Sequence, residues 1–388
     1  MATTTVPISG SVLGWARLEA GLTEHELAER TKVSVDQVEA WEDDSEKPTR
    51  GQFTKIVRVL KRPSALFFLP NPPTDAGMPT ALRRAPALGN HEIGVEEARQ
   101  IRWARRLQES ASWALNDEGS PPVEIPQISM QVDPSAAAIT ARDNSGISID
   151  EQLSWTSTSE AFRSWRSYLE DQDVLVLQLS MGKGNIRGFS AWDEQAPLVA
   201  VNTAYHPTAR IFTLLHEYAH LVTRTDAACQ SFVLPSAHDT TAERWCEQFA
   251  ASFLLPASGL RNVATKYDIS SSSPTSDPNK ARLIGNRFSV SARATAIRLQ
   301  ELGLGTKGLY GAVAAQMAAL DWNDSSSGGG GGGQPASQKR IGQLGTRLPA
   351  TLIAAAERGK MTTRDLADYL QLKTGQLEDL KGLLVEPR

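Results

Sequence analysis

The chain has 388 residues, 40 % of them hydrophobic and 22 % charged, with a net charge of −4. That length suits two or three domains, and the charge balance excludes a nucleic-acid coat or a membrane-surface binder for the chain as a whole. Two cysteines, Cys229 and Cys246, cannot build a disulfide framework and fit a reducing cytosol. No apolar run approaches the roughly 18 residues of a membrane helix. Met1 to Gly10 lacks the basic start and apolar core of a signal peptide. A soluble cytoplasmic protein without membrane contact is expected.

In chain order, residues 1–70 read as short packed helices, with Leu13, Leu18, Leu22, Leu27, Val33, Val38 and Trp41 at helical spacings. Thr23 with Glu26 and Ser34 with Gln37 spell two capping boxes, and Pro70-Asn71-Pro72-Pro73 closes the segment. Residues 71–146 read as a helical connector. One amphipathic helix over Gly94 to Leu115 carries Ile101, Trp103, Leu107 and Trp113, and the Pro-, Ala- and Ser-rich remainder is expected to cross the surface.

Residues 147–324 predict a helix over Ser159 to Leu169. Strands follow at Val174 to Leu177 and Leu198 to Val201, with a third over Gly188 to Trp192. Helices follow at Thr208 to Val222, at Ala242 to Leu255 before Pro256, and at Ser289 to Leu302, with a polar loop over Ser270 to Pro278. A Ser/Gly-rich linker at 325–336 includes Gly328 to Gly333. The last segment, 337–388, reads as three short helices at Pro349 to Arg358, Thr363 to Leu370 and Thr374 to Leu383.

The chemistry lies in His216-Glu217-Tyr218-Ala219-His220. On a helix, residues four apart project from one face. Two imidazoles there grip one divalent ion, and Glu217 reaches a water on it as general base. A catalytic zinc takes three protein ligands and keeps a fourth position open. Glu243, opening the next helix, is the expected third ligand, with Glu247, Asp226 or His238 as substitutes. Glu247, four residues on, is expected to accept a hydrogen bond from the free ring nitrogen of a ligand histidine. Tyr205, His206 and His238 are candidate oxyanion donors. Cys246 reads as a buried structural thiol.

Thr213 to Leu221, and Glu243 to Pro256 with its Phe249-Ala250 and Leu254-Leu255-Pro256, resemble the two motifs of the ImmA/IrrE metallopeptidases. Cys246 and Glu247 stand where that family usually has Ala and Asn or Asp. Phe288-Ser289-Val290-Ser291, with Arg298-Leu299 and Leu302-Gly303, resembles its later helical segment, so that the likeness covers about Ser159 to Leu304. The resemblance implies a zinc metalloendopeptidase that cleaves a transcriptional repressor or similar regulator.

Leu27-Ala28, Thr31, Val33-Ser34, Val38 and Trp41-Glu42 are similar to the helix-turn-helix domain of the xenobiotic-response-element regulators. That resemblance implies DNA contact, with Lys32, Ser34, Gln37 and Arg50 as candidate DNA or partner contacts. Against it stand Asp36, Glu39, Glu42, Asp43 and Asp44, which phosphates repel. A protein-docking module is the other reading. Together these features predict a mainly helical α+β protein, with a helix-turn-helix domain, a zincin-like peptidase domain with a short β-sheet, and a small C-terminal helical domain. The competing whole-protein reading is a DNA-binding or antitoxin-like regulator whose zinc is structural or sensory. A metal-dependent hydrolase of a non-peptide substrate is a third.

Overall fold

A computed structural model describes residues 5–20, 22–60, 64–72, 95–182, 186–225, 240–321 and 334–385. The chain divides into two compact units, Met1–Arg106 with Met181–Asn185, and Leu107–Ser180 with Ile186–Arg388. The described residues are mainly helical, with one three-stranded sheet, as an α+β reading requires. Among them no helix is long and apolar enough to cross a membrane.

The first unit opens with α1 (Gly10–Glu19), α2 (Glu24–Thr31), α3 (Val35–Glu42) and α4 (Arg50–Leu60), followed by a 3-10 turn at Ser64–Phe68. Both expected capping boxes form: Thr23 with Glu26 starts α2, and Ser34 with Gln37 starts α3. Lys32, at φ 61, turns the chain between these helices. Leu13, Leu27, Val38, Trp41, Ile56, Leu60 and Phe67 make the core. Leu18, expected among them, is exposed. Buried Arg17 links three of the helices. It donates to both carboxylate oxygens of Glu42 at 2.6 and 2.8 Å and to the Leu22 carbonyl at 2.8 Å, and it pairs with Glu24. One planar guanidinium thus satisfies several acceptors at once, which a lysine's single ammonium does not match.

Helix α5 comprises Val95–Glu118. The second unit continues with α6 (Pro134–Asn144), α7 (Ile149–Ser154), α8 (Thr158–Asp171), β1 (Leu175–Leu179), β2 (Gly188–Ala191) and β3 (Leu198–Asn202). Then come α9 (Pro207–Thr223), α10 (Thr240–Leu254), α11 (Ala257–Thr265), α12 (Pro278–Arg287), α13 (Ala292–Glu301) and α14 (Leu309–Asp321). The chain ends in α15 (Ala336–Leu344), α16 (Arg347–Glu357), α17 (Thr363–Tyr369) and α18 (Gly375–Val385).

The sheet has order β1-β3-β2. β3 pairs parallel with β1 and antiparallel with β2. Every residue of β2 and β3 is buried, so these strands read as apolar runs without alternation.

Two expectations change here. Within the segment set apart as a connector, 71–146, the described stretch 119–133 is mostly exposed, as expected, but α6 beyond it supplies core to the second unit: Ala137, Ala138 and Ala141 join the main cluster, with Ile125. Asp133 caps α6, and Pro134 takes its first turn. The helix went unread because its buried face is alanine, which shows little hydrophobic contrast in a Pro- and Ser-rich stretch. Trp113, expected on the apolar face of its helix, is largely exposed.

The C-terminal helices, expected beyond a tether, pack on the unit through α15 against β1. Most of the linker, with its glycine run, lies outside the described residues. Arg166 of α8, itself buried, donates to the Gly342 carbonyl at 2.8 Å and to Glu170 at 3.0 Å, and it bonds the Val176 carbonyl. Gln178 of β1 donates to the same Gly342 oxygen at 2.9 Å. Gly345 ends α15 at φ 77, ψ −165, a region open essentially to glycine, and a Cβ there would strike Glu170 and Arg166. Gly345→Ala is therefore expected to destabilise the second unit by about 1–3 kcal/mol. Chemical denaturation followed by tryptophan fluorescence measures this, and an unchanged midpoint would mean that the α15 turn relaxes freely.

Candidate metal centre

Helix α9 is built to be buried. His206 caps it, its Nδ1 accepting from the Thr208 amide at 3.4 Å, and Pro207 occupies the first turn without losing a hydrogen bond. From Ile211 to Thr223 every side chain is buried. Such an all-round buried helix belongs in a core, and α9 lies among α8, α10, β2 and β3. His216 and His220 share one face, with ring centroids 4.9 Å apart.

Helix α10 is oriented by an aromatic stripe. Trp245, Phe249 and Phe253 stack at 5.5 and 6.0 Å, and Phe253 meets Trp165 of α8 at 5.2 Å. Trp245 Nε1 donates to the Val132 carbonyl at 2.8 Å, and Ser252 bonds Ser135 of α6 at 2.9 Å. Arg142 of α6 lies over the Trp165 ring and donates to the Phe253 carbonyl at 2.9 Å. Burial lowers its pKa to about 10. With the stripe held this way, the Glu243–Cys246 side of α10 turns toward α9.

The result is a convergence of three donors. His216 Nε2 and His220 Nε2 are 3.2 Å apart, and Glu243 sets one oxygen 3.3 Å from the first and the other 3.4 Å from the second. These are the only such His/Cys/Asp/Glu donors found together among the described residues. A tetrahedral ion with arms of about 2.0–2.1 Å has ligand-to-ligand edges of about 3.3 Å. The two nitrogens stand at that edge, each meets a different oxygen of Glu243 at a similar distance, and one donor atom from each residue lies within 4.8 Å of the others, so the N,N,O set can close on a zinc-sized ion.

The three groups are electrostatically coupled. Burial favours a neutral Glu243, but hydrogen bonds and charge from the two histidines outweigh it and hold the carboxyl well below the usual range. Burial lowers His216. It opposes the charged form of His220 too, where Cys246, Glu243 and Glu217 prevail and raise the ring.

Glu217 is fully buried beside this triangle, and Ser190 Oγ of β2 donates to its Oε2 at 3.0 Å. The approach of β2 to α9 needs Gly188. A Cβ there would stand 2.5 Å from Thr213 Cγ2, 2.7 Å from the Ala200 carbonyl oxygen and 3.3 Å from Glu217 Cγ. Gly188→Ala is expected to cost about 1–3 kcal/mol by overpacking and to displace Glu217. A wild-type urea midpoint in that variant would show the contact to be soft.

Other expected residues fare differently. Glu247 makes no hydrogen bond among the described residues, and burial with the Glu243 charge raises its pKa. One of the two ring nitrogens it could have held is met elsewhere: His220 Nδ1 lies 2.8 Å from Thr225 Oγ1 and 3.5 Å from Cys246 Sγ. Cys246 is fully buried, as a structural thiol would be. His206 serves as the α9 cap, and Tyr205 lies under Arg187 at 5.1 Å. Asp226, Cys229 and His238 lie outside the described residues. Lys32 and Arg50 are exposed, whereas Ser34 and Gln37 are engaged with each other in the α3 cap.

Sequence reasoning missed Ser190, Gly188 and Thr225. Ser190 and Gly188 lie on a short strand with no motif of their own. Thr225 follows a left-handed residue, Arg224, whose position was not readable as a cap because it is not glycine.

Residues 169–300 match the peptidase M78 family model, the IrrE N-terminal-like domain. The matched stretch runs from the end of α8 through α13 and includes all three donors and Glu217. It is roughly a third of the chain, does not reach α1–α4, and supports the ImmA/IrrE resemblance and a metallopeptidase-like role. A search of curated proteins finds no match.

Proposed function

We propose that this chain is a zinc-dependent endopeptidase that cuts a regulatory protein, such as a transcriptional repressor, in the cytoplasm. The observation that carries the metal is the convergence of His216 Nε2, His220 Nε2 and the Glu243 carboxylate, with the two nitrogens 3.2 Å apart and each meeting a Glu243 oxygen at 3.3–3.4 Å. A bound zinc supplies a Lewis acid for the scissile carbonyl and makes water acidic enough to attack near neutral pH.

The remaining work falls to the chain. Glu217 takes the water's proton on its carboxylate and returns it to the leaving amine. Ser190 fixes the rotation of that carboxylate through Oε2. The buried setting strengthens both interactions by excluding bulk water. The regulatory substrate rests on the resemblance to ImmA/IrrE alone.

The test is cleavage of a proteome-derived peptide library by the purified chain. Cleavage that needs zinc, stops with a chelator and resumes on zinc addition supports the proposal. One zinc per chain with no cleavage of any peptide would move the assignment to a regulator whose metal is structural or sensory.

DNA contact through the helices α1–α4 is the second reading, and one observation favours it. Part of the acidic run at the end of α3 is neutralised at home: Glu42 pairs with Arg17, and Asp44 pairs with Lys47 and accepts from the Gly10 amide. Asp36 and Glu39 still stand exposed on α3. A gel shift of the full chain across salt concentrations, beside Lys32→Ala and Arg50→Ala, decides it. Phosphate contacts predict a shift weakened by salt and by either substitution. No shift at low salt leaves protein docking as the role of these helices.

A further inference from the structure

The back of the metal site carries a hydrogen-bond chain whose polarity can be read atom by atom. Arg224 ends α9 in the left-handed region at φ 56, and the Thr225 amide returns to the His220 carbonyl at 3.1 Å. This helix-terminating turn brings the Thr225 hydroxyl under the ring of the same histidine. Thr225 Oγ1 lies 2.8 Å from His220 Nδ1 and 2.8 Å from Thr223 Oγ1. Thr223 Oγ1 in turn lies 2.8 Å from the Ala219 carbonyl oxygen and 3.2 Å from that of His220.

A carbonyl oxygen accepts and never donates. Thr223, buried from water, must therefore spend its single hydroxyl hydrogen on that carbonyl end, or two acceptors would face each other unscreened. Toward Thr225 it then only accepts, so the Thr225 hydrogen points to Thr223. Toward His220, Thr225 has no hydrogen left and only accepts. When the ring is neutral, its one proton must sit on Nδ1. Nε2 is then left with its lone pair facing His216 Nε2 and the Glu243 carboxylate, a cluster of acceptors that a bound cation would satisfy.

We propose that Thr225, backed by Thr223, is a positioning residue that locks His220 in the Nδ1–H tautomer and so presents Nε2 as a ligand. This rests on the reading that the triangle holds a metal. Thr225 performs the orienting task that a carboxylate or carbonyl commonly performs behind a ligand histidine. Cys246 Sγ, at 3.5 Å from the same nitrogen, is a weak second acceptor and does not set the polarity.

The test uses the full chain, with zinc alone as the probe and a chelating chromophore as competitor. Thr225→Val keeps the shape and removes the acceptor, and zinc affinity is expected to fall by about 10–100-fold, the usual effect of losing an outer partner. Thr225→Ser is expected to restore it, and Cys246→Ala to bind as wild type does. Long-range proton–nitrogen spectra of the metal-free wild type, taken across pH up to where the His220 ring is neutral, are expected to show that neutral ring protonated on Nδ1. Wild-type affinity in Thr225→Val, a loss in Cys246→Ala instead, or a neutral ring protonated on Nε2 would each overturn the proposal. A wild-type chain that takes up no zinc would end the metal reading, and the nitrogen spectrum would still decide the tautomer.

Discussion

Glu217→Gln is expected to bind zinc as the wild type does and to lose peptide cleavage by about 10²–10⁴-fold, the usual contribution of a positioned general base. The amide is nearly isosteric with the carboxylate. Its carbonyl oxygen can still accept from Ser190 Oγ, so the packing of β2 on α9 is kept. What it cannot do is take a proton from water. Metal content and turnover measured on the same preparation separate the two roles, because none of the three donors is touched. Zinc retained with cleavage unchanged would show that the proton goes elsewhere and would withdraw Glu217 as base.

Glu243→Ala and His216→Ala are expected to remove stoichiometric zinc. Each takes one corner from a three-cornered site, and the loss in affinity should exceed the roughly 10–100-fold that follows loss of an outer partner. Elemental analysis after dialysis reads this directly. Thermal unfolding reads it a second way. A metal that binds only the folded chain stabilises it by about 2.7 kcal/mol at a free concentration of 100 times Kd. The wild type should melt higher with zinc than with chelator, and both variants should melt alike in the two conditions.

The same zinc-dependent shift should shrink as pH falls. Protons compete for the histidine nitrogens, and His220, whose ring is raised above its ordinary value, holds its proton furthest up the pH scale. A zinc-dependent shift that persists in Glu243→Ala would mean that another side chain completes the site.

How much was legible follows from the period of each signal. His216, Glu217 and His220 were readable because four-residue spacing on a helix is a local property. Glu243 was readable because it opens the next helix of a motif whose aromatic and leucine positions follow in sequence. The strands were readable as short apolar runs, since both faces of β2 and β3 are covered. Helix α6 was not, because alanine buries a flat face without marking it, and neither was the packing of α15 on β1, which depends on Arg166 meeting carbonyls more than 170 residues away.

The support of the site also lay beyond a one-dimensional reading. Glu247 shares the helix and the expected face with Glu243, yet His220 Nδ1 is met by Thr225, because the left-handed turn at Arg224 folds the chain back on its own last turn. Ser190 reaches Glu217 only because Gly188 lets a strand lie against α9.

The sequence by itself determined the candidate donor types, their helical spacing and the carboxylate between them, since these follow from side-chain chemistry and a 3.6-residue period. Tertiary structure alone decided which hydroxyls meet Glu217 and the His220 ring and where the C-terminal helices pack. Those contacts join residues that no local period relates, and they exist only once the aromatic stripe of α10 and the close approach of β2 have set the helices in place.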